Sequence, residues 1–355
     1  MRSANRRQFI RYTGATIGVA AIAGCMGDEV EDVEEEEDVE EDIDDDDYPP
    51  GSLTFVNAYS EGGGVDTNFR QIQGYFEDEL DANLSIDYRD GAGTRTAVTT
   101  VVQDEELLEI GGTLSPATPA AIAMDEHEGT ESEFTLEDIR PLGTLSGEAA
   151  IIRSRLDEDR FETIGELVDY AADNVVTVGT SGPTNRNTLS IIQLSEETEA
   201  EFTIVPFDGG GPTETALMQE EIDVAARSVY NSAGIADESR CLAIYAEENP
   251  EPDLTNDAPP INDELGTDIN YAPSDGTQFY YVSAQAAENH PDRFDHVQSA
   301  FEAAHGNEEY HADLEEIGEE GKLVWNDPDE TEEILESAYE TYQDFAPLFE
   351  EYVQN

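Results

Sequence analysis

Three glycine-rich turns, each placed between an apolar run and a helix-like pattern, constrain the fold of this chain most. They are "SEGGGVD" at 60–66, "GTSGPTN" at 179–185 and "FDGGGP" at 207–212. The apolar runs before them have the length of buried strands, and apolar residues recur at helical spacing after the first turn. Strands that alternate with helices in this way predict an α/β fold with mainly parallel sheets.

The same turns predict a binding cleft. Ligands of parallel sheets bind outside the carboxyl ends of the strands, beside the turns that begin the next helices. Glycine lets the backbone approach a guest closely, and the N–H groups at a helix start attract anions. None of the three turns has the Gly-Lys-Ser/Thr ending of a phosphate loop or the G-x-G-x-x-G spacing of a dinucleotide site. We therefore expect a small anionic guest of another kind.

The overall charge excludes several classes of partner. The chain carries 84 acidic residues and 16 basic ones, with a net charge of −68. Only 16 of these acids lie in the acidic segment at 28–47, so most of the charge belongs to the rest of the chain. Such an excess indicates a solvated surface suited to high salt. Nucleic acids need clustered Lys or Arg, so we predict no nucleic-acid partner.

The first residues resemble an export signal. "MRSANRRQFIRYTGATIGVAAIAGCMG" has the paired arginines of a twin-arginine signal, followed by an uncharged run shorter than the about 20 residues of a membrane span. "IAGC" resembles a lipobox, which predicts lipidation of Cys25 after removal of residues 1–24. The alternative is an uncleaved anchor helix. Both arrangements tether the protein outside the cytoplasmic membrane.

Residues 25–50 are predicted to form an extended acidic tether, because a segment of this composition cannot bury enough apolar surface to fold. An acidic interaction tail is the alternative. Elsewhere no nucleophile elbow and no spaced metal ligands are found, so no catalytic residue, metal or cofactor is predicted. Cys241 is expected to be a small buried hydrophobe, His305 a surface residue and the aromatic stripe of the last helix a packing face.

The order of several motifs resembles the receptors of the tripartite tricarboxylate transporter family. "FVNAYSEGGGVDTNFRQIQGYFEDEL" resembles their opening strand, loop and helix, which usually read V-P-x-x-x-G-G-x-x-D. "YRDGAGTRTAV" resembles their N-R-x-G-A-G-G segment, with Arg89, Gly91, Ala92 and Gly93 matching. "IGGTLSPATPAA", "LEDIRPLGTL", "VTVGTSGPTN" and "VPFDGGGPTETALMQEEIDV" follow in the family's order. The resemblance covers residues 52 to about 352.

The resemblance implies an extracytoplasmic solute receptor of the type II periplasmic-binding-protein kind, with two α/β domains joined by crossing strands. One domain would contain residues 51–148 plus 248–355, and the other residues 149–247. Acting as a monomer, it would bind a small carboxylate, such as a di- or tricarboxylate, and deliver it to a permease with a large and a small membrane subunit. A binding protein that serves a sensor or another transporter is an alternative, and a hydrolase is a weaker one.

In this family, backbone N–H groups and waters hold one carboxylate between the first loop and a loop of the second domain. Asp66 is expected to fix the first loop, and Glu61 should point away from the guest. The residues that the resemblance implies for ligand binding are Tyr59, Ser60, Glu61, Gly62, Gly63, Gly64, Asp66, Thr113, Ser115, Gly179, Thr180, Ser181, Gly182, Asn185, Arg186, Phe207, Gly209, Gly210 and Arg227.

Three positions depart from the family's pattern. Asp208 stands where relatives often carry Lys, Arg227 where they often carry an acid, and Arg95 where they carry Asn. One hypothesis is that Arg227 or Arg186 binds the distal carboxylate of a diacid through charge-assisted hydrogen bonds. The alternative is that Arg227 forms an ion pair with one of the many acids of the chain.

Overall fold

The computed structural model describes residues 48–198, 200–207, 209–271 and 276–353. The predicted signal peptide, Cys25, the acidic segment at 28–47 and Asp208 lie outside these ranges. Within them, no helix combines the length and the apolar character that crossing a bilayer requires.

The described residues form two five-stranded sheets with helices on their faces, which confirms the predicted α/β class. The strands are β1 (Ser52–Asn57), β2 (Asn83–Tyr88), β3 (Glu109–Ser115), β4 (Ile139–Glu148), β5 (Ala150–Arg155), β6 (Val176–Thr180), β7 (Phe202–Pro206), β8 (Val224–Ser228), β9 (Ser239–Ile244) and β10 (Gly276–Ser283). The helices are α1 (Gly64–Leu80), α2 (Arg95–Val102), α3 (Ala117–Glu128), α4 (Ile164–Ala171), α5 (Arg186–Glu197), α6 (Gly210–Met218), α7 (Pro252–Thr255), α8 (Ile261–Leu265), α9 (Ala284–Asn289), α10 (Pro291–His305), α11 (Glu308–Glu316) and α12 (Pro328–Tyr352).

The two sheets have related topologies. The first has the order β2-β1-β3-β10-β4, with β1 parallel to β2 and β3, and β10 antiparallel to β3 and β4. The second has the order β7-β6-β8-β5-β9, with β6 parallel to β7 and β8, and β5 antiparallel to β8 and β9. The chain passes from the first sheet to the second between β4 and β5 and returns between β9 and β10. Half of the strand pairs are antiparallel, so the sheets are mixed and not mainly parallel as predicted. Each sheet nevertheless has three parallel strands whose carboxyl ends lie at one edge.

Aromatic packing fixes the first sheet. The rings of Phe55 on β1 and Phe69 on α1 stack with centroids 3.6 Å apart, and Tyr280 packs edge-on against both rings. A Cβ at Gly112 would overlap the ring of Phe55, and a Cβ at Gly111 would overlap that of Tyr281. The Gly-Gly pair of β3 is therefore required by the bulky residues that the neighbouring strands turn toward it.

The last helix packs against both sheets. Leu335, near its start, belongs to a cluster with Phe279 and Tyr281 of the first sheet. Phe349, near its end, and Val353, just beyond it, belong to the core of the second sheet. Its aromatic stripe is a packing face, as predicted, and the rings of Tyr342 and Phe349 stack with centroids 5.5 Å apart. The domain boundaries stay a prediction, since the helix contributes to both cores.

Two chemically reactive residues are buried. Cys241 is buried on β9 as predicted, and burial raises the pKa of its thiol to about 12, which leaves no thiolate at neutral pH. His305 was expected on the surface, and that prediction is wrong. Its ring packs against that of Trp325, with centroids 5.1 Å apart and with Nε2 3.1 Å from the carbonyl oxygen of Leu145, and burial lowers its pKa. The helical pattern that contains His305 gives no hint of this contact.

Candidate ligand-binding cleft

A cavity of about 750 Å³ lies at the carboxyl ends of the parallel strands, and its wall contains residues from both sheets. A smaller cavity of about 400 Å³ adjoins it and shares Tyr59, Ser60, Gly64 and Arg186 with its wall. Both volumes lie within the range of about 300 to 1,000 Å³ that is usual for binding sites of small organic ligands. We refer to the larger cavity as the cleft.

Five helices begin at the cleft. The residues Gly64, Arg95, Ala117, Arg186 and Gly210, which are the first residues of α1, α2, α3, α5 and α6, all line it. Each helix start carries a partial positive charge, because its first N–H groups have no partner within the helix. The wall of the cleft is therefore locally positive in an otherwise strongly acidic protein.

Four of these five helices have no side-chain cap. No side chain accepts a hydrogen bond from the first turn of α1, α2, α3 or α6 at its N-cap position. The exception is α5, where the Asn185 side chain accepts a hydrogen bond of 3.0 Å from the Thr188 N–H. The uncapped N–H groups are donors that a bound anion can use.

The first loop is held in shape by Asp66. Its carboxylate accepts hydrogen bonds from the Gly62 N–H (2.9 Å), the Tyr88 hydroxyl (2.7 Å) and Arg70 Nε (3.1 Å). Burial alone would raise the pKa of Asp66, but these donors outweigh burial and the pKa lies below its ordinary value. Glu61 points outward with a side chain 75% exposed, 3.6 Å from Arg70. The acid within the loop therefore does not face the cleft.

In the second loop, at 179–185, the Ser181 hydroxyl is the common hydrogen-bond acceptor of two side chains. Its Oγ accepts hydrogen bonds from Asn185 Nδ2 (2.9 Å) and Asn187 Nδ2 (3.2 Å). The Thr188 hydroxyl donates to the carbonyl oxygen of Gly182 at 2.6 Å, which ties the loop to the first turn of α5. Gly182 has φ +158, at the limit of the region that favours glycine. Because Ser181 already accepts two N–H groups, its own hydroxyl proton can be donated to a guest.

Three arginines line the cleft, and each is paired with an acid. Arg95 donates two hydrogen bonds to the Asp125 carboxylate (2.9 and 2.6 Å). Arg186 donates one to the Glu148 carboxylate (2.9 Å) and one to the Glu148 carbonyl oxygen (2.7 Å). The ion pair of Arg227 with Glu214 has an Nη2–Oε1 distance of 2.8 Å. A Cβ at Gly210 would overlap the guanidinium of Arg227, so this position must be glycine for the pair to form. The ion pair considered for Arg227 in the sequence is thus present.

The structure brings most of the predicted residues together. Those on the wall of the cleft are Tyr59, Ser60, Gly64, Ser115, Ser181, Gly182, Asn185, Arg186, Gly209, Gly210 and Arg227. Gly62 and Gly63 line the smaller cavity instead. Tyr59 keeps its hydroxyl proton, since burial raises its pKa to about 12.

The other predicted residues lie behind the walls of these two cavities. Thr113 is buried against Thr118, with their hydroxyl oxygens 3.0 Å apart. The Thr180 hydroxyl donates to the carbonyl oxygen of Gly182 at 3.0 Å. A Cβ at Gly179 would overlap Ile222, and Phe207 packs in the same apolar cluster. These residues, like Asp66 and the outward Glu61, shape the loops from outside the cleft.

Several wall residues were missed in the sequence. Asn187 and Asn231 lie on the second-sheet side, and Asp90 and Met124 lie on the first-sheet side. The signal that could have found Asp90 and Asn231 is positional, because each follows a strand of a parallel set, β2 and β8. Asp90 precedes two glycines in a segment that was interpreted only through its family resemblance, whereas the Asn231 segment is not rich in glycine.

Comparisons with known proteins identify the fold. No protein-family profile and no curated protein sequence matches the chain. Among solved structures, a TctC solute binding protein from Polaromonas without ligand has a TM-score of 0.67 at 17% identity, covering 85% of this chain and 99% of that one. MatC from Rhodopseudomonas palustris with bound malate has a TM-score of 0.66 at 18% identity, covering 84% and 100%. Rpa4515 from R. palustris with adipate has a TM-score of 0.66 at 16% identity, covering 85% and 98%. The chain therefore has the type II periplasmic-binding-protein fold of these TctC-like solute-binding proteins.

Proposed function

We propose that this protein is an extracytoplasmic receptor that binds a small organic acid, holds one of its carboxylates among the helix starts of the cleft, and delivers it to a tripartite tricarboxylate-type permease. It binds its ligand without turning it over. The candidate ligands are small carboxylates, namely di- and tricarboxylates and related organic acids.

One observation carries this proposal: five helices begin at a single cavity, and four of them leave their first N–H groups without a side-chain cap. A carboxylate placed there accepts several backbone N–H bonds and interacts favourably with the helix dipoles. The large negative charge of the protein does not prevent this, because molar salt screens surface charges beyond about 3 Å.

The fold relatives support an acid as the ligand. MatC was solved with malate and Rpa4515 with adipate, both of which are small carboxylates. Their identities to this chain are 18% and 16%, so they support the ligand class through the fold and the geometry of the cleft only. The permease subunits are proposed from the sequence resemblance.

The proposal includes a membrane tether. Cys25 would carry the lipid after twin-arginine export, and the acidic segment would connect it to the folded part of the chain. Replacement of Cys25 by Ala is expected to move the protein from the membrane fraction to the soluble extracytoplasmic fraction without changing its ligand affinity. Retention in the membrane fraction would show that an uncleaved anchor helix holds the protein.

A thermal-shift screen in molar salt tests the binding function. The panel contains mono-, di- and tricarboxylic acids, amino acids and aromatic acids, with neutral sugars and amines as controls. A ligand present at about 100 times its dissociation constant adds roughly 2.7 kcal/mol to the free energy of unfolding. We expect stabilisation by one group of acids and none by sugars or amines. The absence of a shift with every acid would refute the receptor function, and turnover of an acid would replace it with an enzyme.

A test of the transport partner is separate. Deletion of the gene should abolish uptake of the acid that the screen identifies, and genes for a large and a small multi-span permease are expected beside it. Unchanged uptake combined with loss of a transcriptional response to the acid would favour a sensor as the partner.

A further inference from the structure

The charges on the wall of the cleft limit what the far end of the ligand can be. This inference rests on the proposed function, which places one carboxylate of the ligand at the helix starts. Each arginine on the wall is already matched by an acid, namely Asp125, Glu148 or Glu214. The remaining charged wall residue is Asp90, which has no cationic partner in the described part of the chain. Counted by side chains alone, without the partial positive charges of the helix starts, the wall and its ion-pair partners therefore carry one net negative charge.

We infer that the ligand carries a single carboxylate and that its other polar groups are uncharged. The acids that pair with the wall arginines keep these cations from clamping a second carboxylate, and Glu214 is the specificity-determining residue at Arg227.

The geometry of the Arg227 pair explains this selectivity. Nε and Nη2 of Arg227 both donate to Oε1 of Glu214, at 3.2 and 2.8 Å, and Nη2 also donates to the carbonyl oxygen of Asn231 at 2.8 Å. The Arg227 side chain is 6% exposed and the Glu214 side chain is 20% exposed. Nε and Nη2 could both bind a ligand carboxylate only if Arg227 released Glu214. The partly buried Glu214 carboxylate would then be left unpaired, which is costly.

An uncharged group of the ligand can bind Arg227 without displacing Glu214. Nη1 of Arg227 has no acceptor within the described ranges, so it can donate to a ligand oxygen while Glu214 keeps its place. Because the charge of the pair is already neutralised, this donor suits a hydroxyl or carbonyl oxygen better than a second anion. The cleft thus has a charge-compensated donor where a diacid receptor would need a free cation.

Asn187 points to the same ligand chemistry. It is buried at the wall of the cleft, its Nδ2 donates to Ser181, and its Oδ1 has no hydrogen-bond partner. Buried polar atoms without a partner are rare in proteins and often mark the position of a missing group. This oxygen is enclosed, so the Asn187 side chain must turn to meet a ligand hydroxyl, which can both donate to and accept from an amide.

Pairs of acids that differ only at the far end test the inference. Succinate is compared with 4-hydroxybutyrate, and adipate with 6-hydroxyhexanoate, by titration calorimetry in molar salt. The natural protein should bind the hydroxy acid of the better-fitting pair at least about tenfold more tightly than the diacid. In Glu214→Gln, diacid affinity should rise by about tenfold or more, the size expected for one charge-assisted bond, while hydroxy-acid affinity changes less than about threefold.

Two further variants complete the test. Asp125→Asn removes the acid that pairs with Arg95 at the same wall and should also raise the affinity for the diacid. Asp329→Asn lowers the negative charge of the chain by the same amount, but its ion pair with Arg140 is remote from the cleft, so it should change neither affinity. If Glu214→Gln fails to fold, Asp125→Asn and the preference of the natural protein still decide the matter.

Three outcomes would overturn the inference. A natural protein that prefers the diacid, or variants in which both affinities rise equally, would refute it and leave the receptor function intact. Failure of every acid to bind would refute the receptor function itself, and this inference with it.

Discussion

The helices that begin at the cleft differ from those that begin elsewhere. Outside the cleft, the first turns of α4, α9, α11 and α12 are capped by side chains, namely those of Thr163, Ser283, Asn307 and Asp327. Two further helices, α7 and α10, begin with a proline, and the five-residue α8 has neither feature. At the cleft, four of five helices have no such cap. A cap contributes about 1 kcal/mol to stability. The cleft therefore forgoes local stabilisation and keeps its N–H groups for a ligand.

The largest expected effect comes from adding a charge at one of these starts. Asn185→Asp keeps the oxygen that caps α5 and adds a carboxylate at the wall of the cleft. The amide that donates to Ser181 is replaced by an oxygen to which the Ser181 hydroxyl can donate instead. Two unit charges 4 Å apart repel by about 4 kcal/mol at an effective dielectric constant of 20, and salt reduces this. We expect the affinity for the bound acid to fall about 10- to 100-fold, measured by calorimetry.

The matched control is Asn307→Asp, which makes the same change at the start of α11. Both substitutions place a carboxylate at a helix start and should leave stability within about 1 kcal/mol of the natural protein. Ligand affinity should be unchanged in Asn307→Asp. Equal losses of affinity in the two variants would mean that overall charge, and not the position of the α5 start, controls binding.

Two glycine substitutions compare a closely packed glycine with one that has open space around it. A Cβ at Gly179 would overlap Ile222 and lie 3.0 Å from Thr213 Cγ2, whereas a Cβ at Gly211 meets nothing within 4 Å. Overpacking of this kind costs about 1 to 3 kcal/mol, so Gly179→Ala should lower the midpoint of denaturant unfolding. Gly211→Ala lies in the first turn of α6 and should raise stability by about 0.5 kcal/mol. If Gly179→Ala is as stable as Gly211→Ala, β6 does not pack as described.

The contrast between these glycines shows that the sequence predicts where the loops lie but not the role of each glycine. Glycine marks both close packing and open turns, so the pattern located three of the loops that line the cleft but did not separate Gly179, a packing residue, from Gly182 and Gly210 on the wall. The strand and helix pattern sufficed for the α/β class, because alternation of elements is a local property of the chain.

The ion pairs of the cleft could not be predicted in the same way. Arg95 and Asp125 are 30 residues apart, and Arg186 and Glu148 are 38 apart, in a chain where acids are near every arginine in sequence. The choice among so many acids depends on which helices meet, and tertiary packing decides that. The burial of His305 under the Leu145 carbonyl is a second case, since the two residues are 160 positions apart.

At the end of β3 that lies away from the cleft, a half-buried acid makes the stability of the protein depend on pH. Glu109 begins this strand, its Oε2 has no hydrogen-bond partner, and burial, with Asp104 adding to it, raises its pKa to about 7. Its unfolded pKa is about 4.3, so the folded state binds more protons and stability falls as the pH rises from about 4 to 7.

Glu109→Gln removes this loss of stability. We expect the variant to gain about 1 to 2 kcal/mol at pH 8, after allowing for the solvent that reaches the side chain, and nothing near pH 4. Denaturant unfolding at several pH values in constant molar salt measures the difference. A gain that is independent of pH would assign the effect to removal of surface charge, and ligand affinity should stay the same because β3 meets the cleft at its other end.

The smallest expected effect concerns a cap outside the cleft. Asp327 accepts a hydrogen bond of 2.9 Å from the Glu330 N–H, and the Glu330 side chain accepts one of 3.1 Å from the Asp327 N–H, which forms a capping box at the start of α12. Asp327→Ala should lower the free energy of unfolding by about 1 kcal/mol. Ligand affinity should not change, although α12 packs against both sheets. If affinity fell by more than about threefold, the starts of the outer helices would also contribute to binding, and the distinction between capped and uncapped helices would not separate stability from function.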